Sequence, residues 1–104
     1  MRATRDNIIT CLKEIKSELS LNGISSLALF GSFANGTQSV YSDIDIAISK
    51  ESDFLKNNSS YDYFNILSMI RSKLRKKFHR NIDIFDLDSN SPFKSTIEKE
   101  LIYV

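Results

Sequence analysis

The chain contains very little cysteine, histidine or proline, and these shortages exclude several classes of protein. Its 104 residues include one residue of each type. A lone Cys11 cannot form an internal disulfide, and one cysteine with one histidine cannot supply the ligands of a zinc site. A Ser-His-Asp triad would have to use His79, which lies in a run of cations and is expected to be a solvated helix end. The sequence therefore favours neither a disulfide scaffold, nor a zinc protein, nor a serine hydrolase.

Long apolar runs and an excess of one charge are also missing. Because there is neither a charged leader followed by an apolar segment nor a long apolar stretch, we expect a protein of the reducing cytoplasm with no membrane partner. Lysine and arginine number 14, against 13 aspartate and glutamate residues. A nearly neutral chain gives no general argument for direct contact with nucleic acid. We expect one domain over residues 1–104, with a complete but small core.

The spacing of apolar residues predicts three helices. Apolar residues recur at helical intervals over residues 6–21 and stop at Asn22-Gly23, which predicts an amphipathic helix in which Cys11 is a small apolar residue. A second long helix is predicted after residue 60, and a third is predicted to begin at Ser91-Pro92. Their expected core positions are Phe64, Leu67, Ile70, Leu74 and Phe78 in the second helix, and Phe93, Ile97 and Leu101 in the third.

Three strands are predicted between these helices, over residues 24–30, 42–49 and 81–87. In the middle strand isoleucines alternate with Asp43, Asp45 and Ala47, so the isoleucine face must be the core face. Residues 50–60 are predicted to be a polar connection, and residues 101–104 a short apolar tail. Together these elements predict an α/β (α+β) fold, with a small mixed sheet and helices packed on one of its faces.

Aspartates of two predicted strands fall on the same sheet face. Asp43 and Asp45 lie opposite the isoleucines, and Asp83 takes the equivalent face of the third strand, whereas Asp86 and Asp88 are expected to be exposed or capping residues. Three carboxylates on one patch repel one another unless cations neutralise them. Hard oxygen ligands suit Mg²⁺ or Mn²⁺, which share their sites with substrate phosphates. This patch is therefore a candidate metal site.

Gly31-Ser32 directly follows the first predicted strand. A turn of this kind at the start of a helix presents free backbone N–H groups and a positive dipole to an anion. Its position one connection before Asp43 and Asp45 indicates a site for a nucleoside triphosphate. A Ser-Asp pair before a strand is by itself only a turn and cap signal. The combination of strand, turn, alternation and third in-phase aspartate favours an active site instead.

Two segments resemble the signature of the nucleotidyltransferase superfamily related to DNA polymerase beta. They are Gly31-Ser32-Phe33-Ala34-Asn35-Gly36 and Ser42-Asp43-Ile44-Asp45-Ile46-Ala47-Ile48. The short chain is similar in length to the minimal members called MNT proteins, which act as antitoxins beside HEPN-domain ribonuclease toxins.

The resemblance implies a role for each motif residue. Gly31 and Ser32 would bind the triphosphate of ATP. Asp43 and Asp45 would hold the nucleotide through two Mg²⁺ ions, with Mn²⁺ as a possible replacement, and Asp83 would complete the catalytic and metal-binding set. Many members carry arginine after the alanine of the Gly-Ser motif, where this chain has Asn35.

The implied reaction is transfer of AMP from ATP to a hydroxyl group, expected to be a tyrosine of the cognate HEPN toxin, within a complex of the two proteins. Two alternatives stay open at this point. One is a binding module that neutralises the toxin by contact alone, and the other is nucleotidyl transfer to a small molecule or a nucleic-acid end with help from a partner subunit. Six lysine and arginine residues over positions 71–80 are either a docking surface for an acidic partner or an ordinary solvated face.

Overall fold

The computed structural model describes all of residues 1–104, and its elements follow the predicted alternation of helices and strands. None of its helices combines the length and the apolar character that crossing a bilayer requires. The helices are α1 (Arg5–Leu21), α2 (Ser32–Asn35), α3 (Phe54–Asn57), α4 (Ser60–Phe78) and α5 (Lys94–Glu98), and the strands are β1 (Ile24–Phe30), β2 (Ile44–Lys50), β3 (Ile82–Asp86) and β4 (Ile102–Tyr103).

The four strands form one mixed sheet in the order β3-β2-β1-β4. Strand β1 pairs antiparallel with β2 and with β4, whereas β2 and β3 are parallel. A parallel pair needs a long crossover connection, and here α4 provides it between β2 and β3. The prediction of a small mixed sheet is therefore confirmed.

The main core lies between one face of this sheet and the two long helices. Ile44, Ile46 and Ile48 of β2 are fully buried there, in one cluster with apolar residues of α1 and α4. This confirms that the isoleucine face is the core face. The opposite face carries a much smaller cluster of Ala28, Ala47 and Leu87, against which residues of the C-terminal segment pack. That face also carries the predicted carboxylates.

Both long helices have defined ends. The Thr4 side chain accepts a hydrogen bond from the backbone N–H of Asn7 and caps α1. Ser59 and Asp62 form a reciprocal capping box at the start of α4. His79 ends α4 in the left-handed conformation, with a φ of 56°, and its side chain is exposed as expected. The chain therefore turns sharply at His79 and enters β3 at Ile82.

Several sequence predictions are corrected by the structure. The connection over residues 50–60 contains α3, because Phe54 inserts into the main core and is only 2% exposed. Phe64 is 62% exposed, since the apolar stripe of α4 is centred on Ile70 and Leu74 and Phe64 lies about a quarter turn away from it. Ile66 is buried in the main core in addition to the other predicted α4 positions.

The C-terminal region also differs from its prediction. Helix α5 begins at Lys94, so Pro92 lies outside it, and Phe93 is 69% exposed. Ile97 and Leu101, which were predicted to face the core, are half-buried against the smaller cluster of Ala28, Ala47 and Leu87 and not in the main core. The predicted tail contains β4, which pairs with β1 at Ala28 and extends the sheet.

The cationic run at the end of α4 is partly neutralised within the chain. Lys73 donates a hydrogen bond to Glu18 at 2.7 Å, and Lys77 donates to Glu14 at 3.3 Å, which links α4 to α1. Both pairs are solvent-exposed, so each contributes little to stability. The pairs favour an ordinary helix surface over a continuous basic docking surface.

Candidate active site

Gly31 joins β1 to the short helix α2 and is packed directly against a carboxylate. Its φ of 74° and ψ of −154° belong to a region that side chains with a Cβ rarely adopt. A Cβ built on Gly31 would lie 2.1 Å from Oδ2 of Asp45. Glycine is therefore required twice at this position, once by the backbone conformation and once by the close approach. This close approach brings the Gly31-Ser32 turn together with Asp45, the second aspartate of the Asp43-Ile44-Asp45 segment.

Asp43 and Asp45 are positioned by the start of β2. Asp43 directly precedes the strand, Asp45 is its second residue, and both are half-buried, whereas Ile44 between them points into the main core. Strand pairing places Asp45 opposite Phe30, the last residue of β1. The predicted alternation therefore puts Asp45 beside the Gly-Ser turn, at the end of the sheet where β1 finishes.

Asp83 is brought next to Asp45 by the parallel pairing of β2 and β3, in which the two residues are register partners. Asp83 is exposed, so the pair opens to solvent on the β3 side. Burial raises the pKa of Asp45 to about 6, with further contributions from the charges of Asp83 and Asp43 and from a side-chain hydrogen bond with Asp83. The negative charge at Asp45 is thus unfavourable until a cation compensates it.

The donor set fits Mg²⁺ or Mn²⁺ that arrives with a nucleotide. The three aspartates supply hard oxygen ligands, and their mutual repulsion is the cost that a divalent cation would remove. No group of three acidic, histidine or cysteine side chains in the chain is arranged to hold a metal alone. Mg²⁺ commonly uses only one or two carboxylates, with waters and substrate phosphates completing its shell.

One further carboxylate near the site was not predicted from the sequence. Glu100, in the short link between α5 and β4, is close enough for its charge to raise the pKa of Asp45 slightly further. No local pattern could have indicated it, because its position depends on β4 pairing with β1, and the sequence predicts only a short apolar tail over residues 101–104. Glu100 adds a fourth negative charge to the surroundings of Asp45.

Asn35 stands at the end of α2, where the superfamily often has arginine. Its exposed side chain accepts hydrogen bonds from the backbone N–H of Thr37 at 3.1 Å and from the Thr37 hydroxyl at 2.5 Å. It therefore closes the turn that leaves α2, which is an ordinary role for asparagine. Asn35 supplies no positive charge to the phosphate side of the site.

Asp86 and Asp88 belong to a separate polar cluster at the other end of β2. Lys50 donates to Asp86 at 2.5 Å and to Asp88 at 3.1 Å, and the Tyr63 hydroxyl donates to Asp86 at 2.6 Å. Burial raises the pKa of Asp86, but the hydrogen bonds from Lys50, Tyr63 and a backbone N–H outweigh it and hold the pKa below its usual value. Asp86 is therefore half-buried rather than exposed, and it is an ion-pair partner of Lys50. It also has the capping role that the sequence offered as the alternative, because its carboxylate accepts a hydrogen bond from the backbone N–H of Asp88 at 2.8 Å. Asp88 is exposed and caps the backbone N–H of Lys50, as predicted.

A cleft of about 390 Å³ lies beside Asp43. Its walls include Ser42 and Asn81, with the basic side chains of Arg75 and Arg80 and the imidazole of His79. It is mainly polar and open to solvent. Asp43 can therefore be reached by a second substrate from a side other than the Gly-Ser turn.

Comparison with known proteins connects this geometry to a family. The family model described as "Polymerase beta, Nucleotidyltransferase" matches residues 13–104. A protein of Methanocaldococcus jannaschii named "Putative protein adenylyltransferase MJ1379" is 37% identical over 83 residues, which cover 78% of this chain and 77% of that protein.

Two solved structures are similar in fold. A minimal nucleotidyltransferase, described as "Structure of putative minimal nucleotidyltransferase", superposes with a TM-score of 0.70 and 18% identity over 96% of this chain and 95% of the other. A "toxin-antitoxin with AMP-PNP" superposes with a TM-score of 0.58 and 26% identity over 97% of this chain and 72% of the other.

Proposed function

The chain belongs to the polymerase beta nucleotidyltransferase family, and on that premise we propose that it is an antitoxin that transfers AMP from ATP to a hydroxyl group of its cognate toxin. Membership confirms the family resemblance of the sequence and makes the protein a nucleotidyltransferase. The finer proposal is supported by its similarity to a protein named as an adenylyltransferase and to a toxin-antitoxin structure that holds AMP-PNP.

The observation that carries the proposal is the packing of Gly31 against Asp45. This contact joins the turn suited to phosphate with the carboxylates suited to a divalent cation, within one small patch of the sheet. A nucleoside triphosphate with its Mg²⁺ ions needs both kinds of group close together.

In the proposed mechanism each site residue has one task. The backbone at Gly31 and the Ser32 hydroxyl would hold the β and γ phosphates, and Asp43 and Asp45 would hold two Mg²⁺ ions. Those ions would supply Lewis acidity to the α-phosphate and to the attacking hydroxyl. Asp83, the exposed partner of Asp45, takes up the proton of the acceptor hydroxyl.

The bond changes balance without a covalent enzyme intermediate. The acceptor oxygen forms a bond to the α-phosphorus as the bond to the β-phosphate oxygen breaks, and pyrophosphate leaves in line with the attack. The proton released by the acceptor passes to Asp83 and then to solvent. The chain thus positions two substrates and removes one proton.

We place the acceptor on a partner protein. The sheet face that holds the carboxylates has only a small apolar cluster, and the cleft beside Asp43 is open to solvent and does not enclose a second small substrate. In our proposal the partner is a HEPN-domain ribonuclease toxin and the acceptor is a tyrosine hydroxyl, in the cytoplasm. An AMP group attached there would block RNA binding through its bulk and its negative charge.

The decisive experiment is intact-mass measurement of the partner encoded beside this protein. The partner is incubated with wild-type protein, ATP and Mg²⁺, and in parallel with the Asp43→Asn variant. We expect a mass increase of one AMP with the wild-type protein and none with the variant. Modification on a residue other than tyrosine would correct the acceptor, and an unmodified partner in a stable complex would exclude the reaction.

A second candidate function is neutralisation by contact alone. It is favoured by Asn35, whose side chain is committed to Thr37 and cannot replace the arginine common in the superfamily. If this candidate is correct, Asp43→Asn will protect cells against the toxin as well as the wild-type protein does. The toxin-protection assay thus separates the two candidates even before the acceptor is known.

A further inference from the structure

Arg80 forms an unusual set of contacts next to the site. It follows the C-cap of α4 and is half-buried. One guanidinium nitrogen, Nη1, donates to three backbone carbonyls of the loop between α2 and β2: Ser42 at 2.8 Å, Ser39 at 3.1 Å and Val40 at 3.3 Å. Hydrogen bonds from a charged donor are stronger than neutral ones. Arg80 therefore holds three backbone carbonyls of this loop close to one guanidinium nitrogen.

The loop has few other restraints. Val40 and Tyr41 are 77% and 91% exposed, so apolar burial does not hold it. Ser39 and Ser42 bond to each other, through the Ser42 N–H to the Ser39 carbonyl and the Ser39 N–H to the Ser42 hydroxyl. These bonds close the loop on itself but do not attach it to the rest of the protein. Arg80 is the one side chain outside the loop whose hydrogen bonds reach the main chain of residues 39–42.

These contacts act on Asp43 because of where it lies in the chain. Its preceding residue, Ser42, is bound by the Arg80 side chain, and its following residue, Ile44, donates its backbone N–H to the carbonyl of Asn81 at 3.0 Å. Residues 80 and 81 therefore hold the main chain on both sides of Asp43. Loss of the Arg80 contact would leave Asp43 fixed from one side only.

The same guanidinium also contacts the helix after the Gly-Ser turn. Its central carbon lies 5.2 Å from the centroid of the Phe33 ring, and Phe33, on α2, is only 1% exposed. Stacking of arginine on an aromatic face is a cation–π contact that depends on the planar guanidinium. Arg80 thus touches both α2 and the loop that ends at Asp43.

We propose that Arg80 is a positioning residue that sets the placement of Asp43 relative to the Gly31-Ser32 turn. It acts through the backbone of residues 39–42 and through Phe33, the groups that its guanidinium contacts. This inference rests on the proposed role of Asp43 in the transfer reaction. Lysine at position 80 would keep the charge but lose the planar stacking and the fixed donor geometry.

The test compares Arg80→Met and Arg80→Lys with Arg71→Met, which removes an exposed arginine of α4 away from the loop. At saturating ATP and Mg²⁺, we expect Arg80→Met to lower kcat by about tenfold or more, since small displacements of a catalytic group are costly. The KM for ATP should change by less than about threefold, because the Gly-Ser turn is kept. Arg80→Lys should recover part of the loss, and Arg71→Met should resemble wild type.

Amide hydrogen exchange provides a second measurement that does not depend on catalysis. In Arg80→Met the amides of Ser39 and Ser42 should exchange faster, whereas those of the β1 strand should not, which also shows that the variant is folded. Unchanged exchange at both serines, or a kcat within about twofold of wild type, would overturn the proposal. If the wild-type protein transfers no AMP, the proposed function fails, and the exchange of Ser39 and Ser42 alone decides whether Arg80 positions the loop.

Discussion

Replacing Asp45 by asparagine should make the metal-free protein more stable, although it should abolish transfer. The substitution keeps the size of the side chain and removes its charge. In the folded protein burial, the neighbouring charges of Asp83 and Asp43 and a hydrogen bond with Asp83 raise the pKa of Asp45 from 3.8 to about 6. The ionised form of Asp45 therefore lowers the free energy of unfolding at neutral pH, and asparagine, which carries no charge, removes this destabilisation.

The size and sign of the effect follow from that pKa. At 1.36 kcal/mol for each pH unit, the difference sets an upper limit of about 3 kcal/mol, and solvent screening of this half-exposed group reduces it to about 1 kcal/mol. Because the folded protein binds the proton more tightly than the unfolded chain, the wild-type free energy of unfolding loses this contribution as pH rises from 3.8 to about 6. Asparagine should therefore stabilise at pH 8 and have almost no effect at pH 3.5.

Urea unfolding in EDTA at the two pH values measures the difference directly. The matched control is Asp6→Asn, which removes an exposed charge in the first turn of α1 and should be slightly destabilising at pH 8 through the helix dipole. Addition of ATP and Mg²⁺ should stabilise the wild-type protein and not the Asp45 variant. If Asp45→Asn is the less stable protein at pH 8, or if its effect is the same at both pH values, then the carboxylates do not repel one another as described.

The remaining predictions concern the two carboxylate clusters and the packing around them. Asp83→Ala should reduce AMP transfer far more than Asp86→Ala does, and equal losses in the measured transfer rates would place Asp83 outside the site. Asp86→Ala should instead lower the free energy of unfolding in urea by about 1–3 kcal/mol, because the Tyr63 hydroxyl loses its acceptor and Lys50 keeps only Asp88. Because the pKa of Asp86 is lowered, this loss of stability should shrink as pH falls through that pKa. Gly31→Ala should cost about 1–3 kcal/mol for the backbone conformation alone and should remove ATP-dependent stabilisation in a thermal melt. A normal response to ATP would contradict the required close approach of Gly31 to Asp45. Phe54→Ala should destabilise by about 3–5 kcal/mol, since α3 is anchored by this ring, and a loss below about 1 kcal/mol in urea unfolding would mean that α3 is not part of the core.

The sequence alone was sufficient to place the aspartates on one sheet face. Alternation along a strand is a local property, because successive side chains of an extended backbone point to opposite sides. Once isoleucines occupy one side of the strand predicted over residues 42–49, Asp43 and Asp45 must occupy the other. The same argument places Asp83 on the equivalent side of the strand predicted over residues 81–87. The Gly-Ser turn was equally local, since it depends on what glycine and serine permit at the end of a strand. The family motif is made of such local features, which explains why it could be recognised before the fold was known.

The sequence was less informative wherever packing between distant segments decides the structure. Phe64 and Ile66 both fit helical spacing, and only the direction of α4 across the sheet determines which of them is buried. Phe54 lies in a stretch of polar residues, so its burial became visible only in the packed core. Strand β4 is two residues long and has no pattern of its own. Such an element forms because β1 offers it a free edge, which is a property of the folded sheet.

What tertiary structure alone decided is how the parts of the site meet. The pairing of Asp45 with Asp83 depends on the parallel register that α4 imposes, and the contact of Gly31 with Asp45 depends on how β1 lies against β2. Glu100 and Arg80 reach the site from segments distant in sequence, through β4 pairing and through hydrogen bonds to a loop. Local chemistry determined which residues could act and which face they occupy. The distances between the site residues, and the effect of their charges on one another, depend on long-range contacts that exist only after the chain has folded.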